Sequence, residues 1–121
     1  NQVEAERRLR MVLAPLAQAT HLSIVHVPAL VYKTERRVEH QYPWEGAIYR
    51  TVCSSLKIPY LDTTDALKKS YQRSGQPGHG FSNAIVGQGH LNAEGHRAVG
   101  QAIDTWLQNL TSPATDERSN P

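Results

Sequence analysis

The strongest candidate for chemistry is a histidine in the segment GHLNAEGH, residues 89–96. Imidazole titrates near neutral pH, so a histidine at the rim of a cleft suits a general base. His90 stands two residues before Asn92, a residue type that caps helices, and a rigid helix start would hold the histidine in place. A solvent-exposed loop histidine is the common alternative. The pattern therefore indicates His90 as a candidate base and leaves that alternative open.

His96, in the same segment, lies one turn inside the helix that Asn92 is expected to start. A histidine at such a position commonly packs or forms hydrogen bonds within the fold. A metal site shared with His90 is disfavoured, because a separation of six residues does not place both rings on one helical face. No cysteine or carboxylate cluster in the sequence completes a ligand shell. We therefore predict neither a metal nor a cofactor.

The elements that must position these histidines alternate between helices and strands. Apolar side chains over residues 3–18 predict a helix that kinks or restarts at Pro15. The apolar face of this helix would consist of Val3, Leu9, Val12, Leu13 and Leu16. Residues 22–27 are rich in β-branched side chains and predict a strand buried on both faces. Residues 29–45 mix charges, aromatics and proline and are expected to be irregular.

The alternation continues beyond this irregular segment. Residues 47–57 carry apolar side chains at four-residue spacing and predict a second helix. Residues 58–62 resemble a second short strand. Thr63 or Thr64 is expected to cap a short helix that ends near Tyr71.

A glycine-rich loop and a final helix complete the predicted domain. Residues 73–89 hold five of the eight glycines and predict a functional or mobile loop, which Phe81 and residues 84–86 would anchor. After Asn92 a helix is expected, with Glu94 favouring its first turn. Its apolar stripe would consist of Val99, Ile103, Trp106, Leu107 and Leu110. Residues 1–110 thus predict one domain, and the polar tail 111–121 predicts disorder.

Three aromatic side chains have both a functional and a structural interpretation. Tyr42, Trp44 and Tyr49 could line an acyl or glycan pocket, because aromatic rings provide flat apolar surface. Packing beneath a long loop is the more common role of such residues.

The cations and the cysteine also have structural explanations. Lys33, Arg36 and Arg37 could contact an anionic substrate, although solvated surface charges are more common. Cys53 is expected to be a small buried apolar residue, since no neighbour in sequence suggests an activated thiolate.

Composition excludes several classes of protein. The 121 residues hold 13 Lys+Arg against 11 Asp+Glu, and a net charge of +2 is too small and scattered for a nucleic-acid interface. The longest mainly apolar stretch, residues 22–32, is too short to span a membrane. A single cysteine cannot form an internal disulfide.

The segment GHLNAEGHRAVGQAIDTWL strongly resembles the final block and terminal helix of the SGNH hydrolases, also called GDSL-type esterases and lipases. LSIVHVP, residues 22–28, is similar to a hydrophobic strand of that family that ends near a proline, and KIPYLDTTDAL, residues 57–67, to a short strand with its following helix. The resemblance covers residues 3–110. It implies a three-layer α/β/α, flavodoxin-like fold with a short, mostly parallel sheet.

The resemblance implies hydrolysis of a carboxylic ester or of an O-acetyl group on a glycan, without a cofactor. In the family a serine attacks the carbonyl, preorganised donors bind the oxyanion, and the histidine of the final block takes the serine proton. His90 matches that histidine by its position in the motif. Asn92 and Gly95 match residues that shape the loop-to-helix transition, and His96 matches a common structural histidine.

One departure from the family concerns the partner of the histidine. The family carries an aspartate two or three residues before it, whereas Gln88 and Gly87 stand at these positions here. The Gln88 side chain could accept a hydrogen bond from the imidazole and orient it, but it cannot stabilise imidazolium as a carboxylate would. Asp62 and Asp65 are distant substitutes, although cap and surface roles are more common for such residues.

A second departure is the missing nucleophile block, together with the family's glycine and asparagine blocks. Ser23 lies in the predicted first strand, and Ser54 and Ser55 lie on the predicted second helix, so none follows a strand as the nucleophile does. We therefore expect the chain to be the carboxy-terminal half of an SGNH-type esterase, exported or in the cell envelope if a signal precedes it. A non-catalytic module that binds carbohydrate or protein, or an O-acyltransferase, is the alternative.

Overall fold

The computed structural model describes residues 1–81 and 83–111. Within these residues the fold is mixed α/β, with four α-helices and four short strands. The elements in chain order are α1 (Gln2–Ala19), β1 (Ile24–His26), β2 (Leu30–Tyr32), β3 (Val38–His40), α2 (Glu45–Ser55), β4 (Tyr60–Asp62), α3 (Thr64–Ser74) and α4 (Ala93–Thr111). Apart from Thr111, which ends α4, the predicted disordered tail lies outside the described residues.

Helix α1 runs through Pro15 as one element, so the restart predicted as one possibility at this residue is wrong. Leu9, Leu13 and Ala17, spaced by one helical turn, pack in one core cluster on both sides of the proline. This shared packing holds the helix together where proline removes one backbone hydrogen bond. The expected apolar face is also wrong in part, because Val3, Val12 and Leu16 lie exposed outside this core.

Strands β1 and β4 form the small parallel sheet that the sequence predicted. The register pairs Ile24 with Tyr60 and His26 with Asp62. Ile24 faces the core formed with α1 and α2, but Val25 on the opposite face is 36% exposed. The prediction of a strand buried on both faces is therefore wrong, because no element of the described chain covers the Val25 side.

The segment predicted to be irregular contains an antiparallel hairpin. Strands β2 and β3 pair with Leu30 opposite His40 and Tyr32 opposite Val38. Leu30 is buried, and Tyr32 and Val38 pack around it in a second core cluster with α3 and α4. The charged connection between the strands hides the alternation of apolar residues, which is why the sequence did not indicate strands.

Arg36, at the tip of this hairpin, is exposed, as expected of a surface charge, and it also has a structural contact. Its guanidinium donates to the carbonyl oxygens of Gln72 and Arg73, at 2.7 and 3.1 Å, at the carboxyl end of α3. The last carbonyls of a helix lack partners within the helix, so a cation there stabilises its end. Lys33 instead faces Glu39 at 3.9 Å on the exposed side of the hairpin.

Helix α3 begins as predicted, although a different side chain caps it. The Thr63 hydroxyl donates to the His26 carbonyl at 2.9 Å, which ties the start of α3 to the end of β1. The Thr64 amide donates to Asp62 Oδ1 at 2.9 Å. Asp62 is therefore the residue that satisfies the first turn of the helix.

Helix α4 is confirmed, and it packs against α3. Ala98 and Val99 are buried there beside Leu67 and Leu30. Leu107 and Leu110, which were expected in the same apolar stripe, are 47% and 49% exposed. The predicted stripe thus extends beyond the part of the helix that α3 covers.

Candidate functional site

A cleft of about 730 Å³ lies where the carboxyl end of β1 meets the loop before α4. One wall is the segment 27–32, which includes strand β2, and the other is the loop 86–91. His79, Gln41 and His96 complete the lining. Clefts at the carboxyl ends of parallel strands are the usual ligand sites of α/β proteins, so its position favours a functional role.

His90 lies at the rim of this cleft, on a loop that the backbone holds in place. Its carbonyl accepts a hydrogen bond from the Gly80 amide at 2.8 Å, and the next residue, Leu91, forms a β-bridge with His79. The imidazole is exposed, and no hydrogen bond to its ring is formed within the described residues. The backbone of His90 is therefore fixed while its ring nitrogens are unoccupied by other described groups, and a base that must accept a proton requires both.

Asn92 joins this loop to α4, as the sequence predicted. Its side-chain amide donates to the carbonyls of Pro77 and Gly80, at 2.7 and 3.0 Å, and its Oδ1 accepts from the Gly95 amide at 3.0 Å. One side chain therefore satisfies the helix start and two loop carbonyls. This arrangement gives Asn92 a structural role in the segment 89–96 and no chemical one.

Gln88 lines the same cleft as His90, but its side chain forms no hydrogen bond with the imidazole in the described chain. Its backbone amide donates to the Ile85 carbonyl at 3.2 Å. Gly87, the other position where the resembled family has aspartate, has a φ of +87°. An aspartate there would be strained in this left-handed conformation. The orienting role of Gln88 stays a prediction.

The two carboxylates considered as substitutes do not line the cleft. Asp62 lies at the end of β4, where Arg50 approaches its Oδ2 at 3.6 Å. Desolvation opposes ionisation of this carboxyl, but the hydrogen bonds from Thr64 and the nearby His26 and His40 together hold the pKa of Asp62 below its usual value. Asp65 lines a separate depression of about 500 Å³ between α3 and α4. Both residues therefore have the structural roles that such aspartates commonly have.

His96 differs from its expected structural role. It lies exposed on α4 and lines the cleft, because the buried face of this part of the helix carries Gly95, Ala98 and Val99 instead. Its ring forms no hydrogen bond within residues 1–81 and 83–111. The structure therefore brings His90 and His96 to one cleft.

The aromatic residues and the loop anchors are placed differently from the predictions. Tyr42 and Trp44 are 45% and 47% exposed and do not line the cleft, so neither the pocket nor the packing role is observed. Tyr49 packs against His26 in a tilted arrangement, with ring centroids 4.9 Å apart, and it does not line the cleft. Phe81 and Ile85 are 48% and 67% exposed, because backbone hydrogen bonds rather than apolar contacts hold the loop.

Sequence reasoning missed a hydrogen-bonded pair in the wall of the cleft, the half-buried Tyr32 and the buried His79. The Tyr32 hydroxyl lies 2.7 Å from His79 Nδ1 and accepts from the Gly78 amide at 3.2 Å. Burial raises the pKa of Tyr32 to about 12 and lowers the pKa of His79. The only sequence signal is a histidine between two glycines, Gly78 and Gly80, within the predicted glycine-rich loop.

Other kinds of site receive no support from the described residues. Among them, no group of three or more His, Cys, Asp or Glu side chains is arranged to hold a metal ion. None of the helices in this part of the chain has the length and apolar character needed to cross a bilayer. Cys53 is buried, as predicted, and burial raises the pKa of its thiol.

The polar side chains of the described chain that line the cleft are those of three histidines, two glutamines and the half-buried Tyr32. The shape of the cleft and its position at the end of β1 suit a small ligand. No protein-family model, no curated protein and no solved structure matches this chain.

Proposed function

We propose that this chain carries the general base of an SGNH-type ester hydrolase, and that His90 is this base. The observation that carries the proposal is the presentation of His90: a hydrogen-bonded loop fixes its backbone at the rim of a cleft while its imidazole remains free. The substrate class is a carboxylic ester or an O-acetyl group on a glycan.

His90 would act by moving one proton twice. It removes the proton of a serine hydroxyl as the serine oxygen attacks the ester carbonyl, and it returns the proton to the alcohol oxygen as the ester bond breaks. Water then attacks the acyl-serine in the same way and releases the acid. Ser23, Ser54 and Ser55 do not line the cleft. We infer that the nucleophile is a serine of the block that the resembled family carries and that has no match in this sequence.

The proposal extends to the fold, as the carboxy-terminal half of a three-layer α/β/α domain. Three features support it: the parallel pairing of β1 with β4, the packing of α1 and α2 together, and the cleft beyond the end of β1. In a doubly wound sheet, residues after the carboxyl ends of the strands share one rim. A serine after a neighbouring strand would therefore approach His90 from the open side of β1.

Kinetics of a protein that joins this chain to its serine block test the proposal. With p-nitrophenyl acetate, His90→Ala should abolish most of the turnover, whereas His21→Ala, an exposed histidine that does not line the cleft, should leave it unchanged. The 121-residue chain alone should not exceed its own His90→Ala variant. Equal turnover of wild type and His90→Ala in the joined protein would remove His90 from the mechanism.

A non-catalytic glycan-binding module is the second candidate. It is favoured by one observation: no carboxylate among the described residues lines the cleft beside His90. Under this alternative the joined protein binds an acetylated glycan without releasing acetate, and His90→Ala weakens binding only. Transfer of the acetyl group to a sugar instead of water would indicate an O-acyltransferase.

A further inference from the structure

His79 combines burial with a position in the cleft wall. It is 6% exposed, and it lines the cleft beside Tyr32. The β-bridge with Leu91 holds its backbone one residue from His90 across the loop. Burial and the hydrogen bond between Nδ1 and Tyr32 hold the ring, so its polar atoms are preorganised.

The hydrogen bonds of Tyr32 determine which nitrogen of His79 carries the proton. The Tyr32 oxygen accepts from the Gly78 amide at 3.2 Å, and its own proton has one described acceptor, His79 Nδ1, at 2.7 Å. A nitrogen that accepts this bond carries no proton. Nε2 is then the protonated nitrogen, since neutral imidazole has one donor and one acceptor.

The surroundings of the pair favour this neutral form. Burial lowers the pKa of His79, and the ring of Tyr71 packs edge-on against Tyr32 with centroids 5.0 Å apart. If Nδ1 were protonated, it and the Gly78 amide would both point at the Tyr32 oxygen, and the hydroxyl proton would have no described acceptor. The Nε2–H group has no acceptor within the described residues, so it is available to a ligand.

The cleft also indicates the charge of that ligand. Among the described residues that line it, none is Asp, Glu, Lys or Arg. An ionic ligand would lose its hydration there without a fixed countercharge. A neutral N–H donor in such a cleft suits an uncharged oxygen acceptor.

We propose that His79 is a substrate-binding residue whose Nε2–H donates a hydrogen bond to an uncharged oxygen of the ester, either the acyl carbonyl or a hydroxyl of the alcohol part. That the ligand is an ester rests on the proposed function, whereas the assignment of His79 Nε2–H as a hydrogen-bond donor does not. Tyr32 is a positioning residue, because it acts through the His79 tautomer.

Two substitutions at this position separate the donor from the packing. His79→Asn retains an acceptor near Nδ1 for the Tyr32 hydroxyl but lacks a donor at the place of Nε2. His79→Gln retains a donor near Nε2 but lacks the Nδ1 acceptor. His90→Ala serves as the control that removes the proposed base and leaves this donor intact.

Nuclear magnetic resonance of the 121-residue chain in dilute solution provides the test. Ring nitrogen shifts should show that His79 carries its proton on Nε2. Methyl acetate, with a carbonyl and no hydroxyl, and methyl glucoside, with hydroxyls and no carbonyl, are the two probes. At least one should shift the His79 Nε2–H resonance, and which one does so distinguishes the two oxygens. The His21 resonances are the internal control.

The His79 Nε2–H shift should persist in His90→Ala. The shifts that the probe causes in the backbone amides of the cleft should persist in His90→Ala and His79→Gln and be lost in a folded His79→Asn. A proton on Nδ1 would overturn the proposal. So would the absence of a response to either probe up to its solubility limit, or an undiminished response of the cleft amides in His79→Asn. These outcomes are independent of turnover, so failure here and failure of the esterase proposal are distinguishable.

Discussion

Glu94 shows how single side chains connect the elements around the cleft. It lies in the first turn of α4 and accepts hydrogen bonds from Arg97 and from the Ser70 hydroxyl of α3. Arg73 of α3 approaches it at 3.9 Å. The hydrogen bond from Arg97, followed by that from Ser70, lowers the pKa of Glu94 to about 2. The carboxylate therefore helps to fix the helix that follows His90.

This pKa predicts how stability depends on pH. A carboxyl whose pKa is lower in the folded state stabilises the fold above its usual value of 4.5 and loses this effect as the pH falls toward 2. We expect Glu94→Gln to have a lower melting temperature than wild type at neutral pH. The difference between the two melting temperatures should close as the pH falls from 4.5 toward 2. Thermal denaturation measured by circular dichroism checks this, with Glu6→Gln on α1 as control. A gap that is constant with pH would contradict the role of the charge.

Gln88 is the residue where the resemblance to the family is weakest. If its side chain occupies the orienting position beside His90, Gln88→Asp should stabilise imidazolium and raise kcat/KM of the serine-containing protein roughly tenfold, or about 1.4 kcal/mol. Gln88→Ala should lower it. Steady-state kinetics on one short-chain ester measure both effects. If Gln88→Asp is neutral or harmful while His90 is essential, another group orients the ring. Asp62 and Asp65, the substitutes named from the sequence, do not line this cleft.

At the scale of elements, the start of α4 is fixed by its close contact with the loop. A β-carbon on Gly95 would lie 2.0 Å from the Gly78 carbonyl oxygen, a distance that no side chain tolerates. On the other side, a β-carbon on Gly78 would lie 2.9 Å from Leu67 Cδ2. These glycines let the loop lie directly on α4, which sets the position of His90.

Two glycines of α4 therefore predict opposite effects of the same substitution. Gly95→Ala should destabilise the protein by about 3 kcal/mol or more, because the backbone must separate to admit the methyl group. Gly100→Ala, which has no atom within 4 Å of the new carbon, should stabilise it by roughly 0.5–1 kcal/mol through helix propensity. Urea denaturation measures both changes. Similar stabilities of the two variants would contradict the close contact.

The elements that local signals specify are those that the sequence predicted. The Asn92 cap of α4 is such a local signal, because its side chain accepts a hydrogen bond from the Gly95 amide in the first turn of the same helix. The hairpin of β2 and β3 depends on Leu30 meeting α3 and α4, which are distant in sequence. The pairing of Tyr32 with His79 spans 47 residues and has no local pattern. Long-range contacts are thus what the sequence alone did not reveal.

At the scale of the whole molecule, apolar surface remains uncovered beside the parallel pair. Val25 and Val27 are 36% and 38% exposed, and β1 and β4 form a sheet of two strands. Parallel sheets are normally covered on both faces and contain more strands. The mixed α/β class could be inferred from the sequence, but the exposure of this face could not, because the burial of a strand depends on contacts with elements distant in sequence.

This surface predicts self-association of the isolated chain. Exposed strand edges and apolar patches favour pairing between copies, so we expect concentration-dependent association and marginal stability. Val25→Lys should weaken association at least tenfold, or about 1.4 kcal/mol. Thr51→Lys on the exposed side of α2 adds the same charge elsewhere and should have little effect. Sedimentation velocity measures both variants, and a monodisperse wild-type monomer with cooperative unfolding would refute the prediction.

The base of the loop before α4 has a consequence for how such a protein could diversify. Two backbone hydrogen bonds, Gly80 N to His90 O and Gly87 N to His79 O, each 2.8 Å, close the loop below its exposed side chains. Phe81 and Ile85 lie beyond this closure. Selection, natural or in a laboratory library, can therefore exchange the sequence between Gly80 and Gly87 as a cassette, altering what approaches the cleft while the two histidines keep their places.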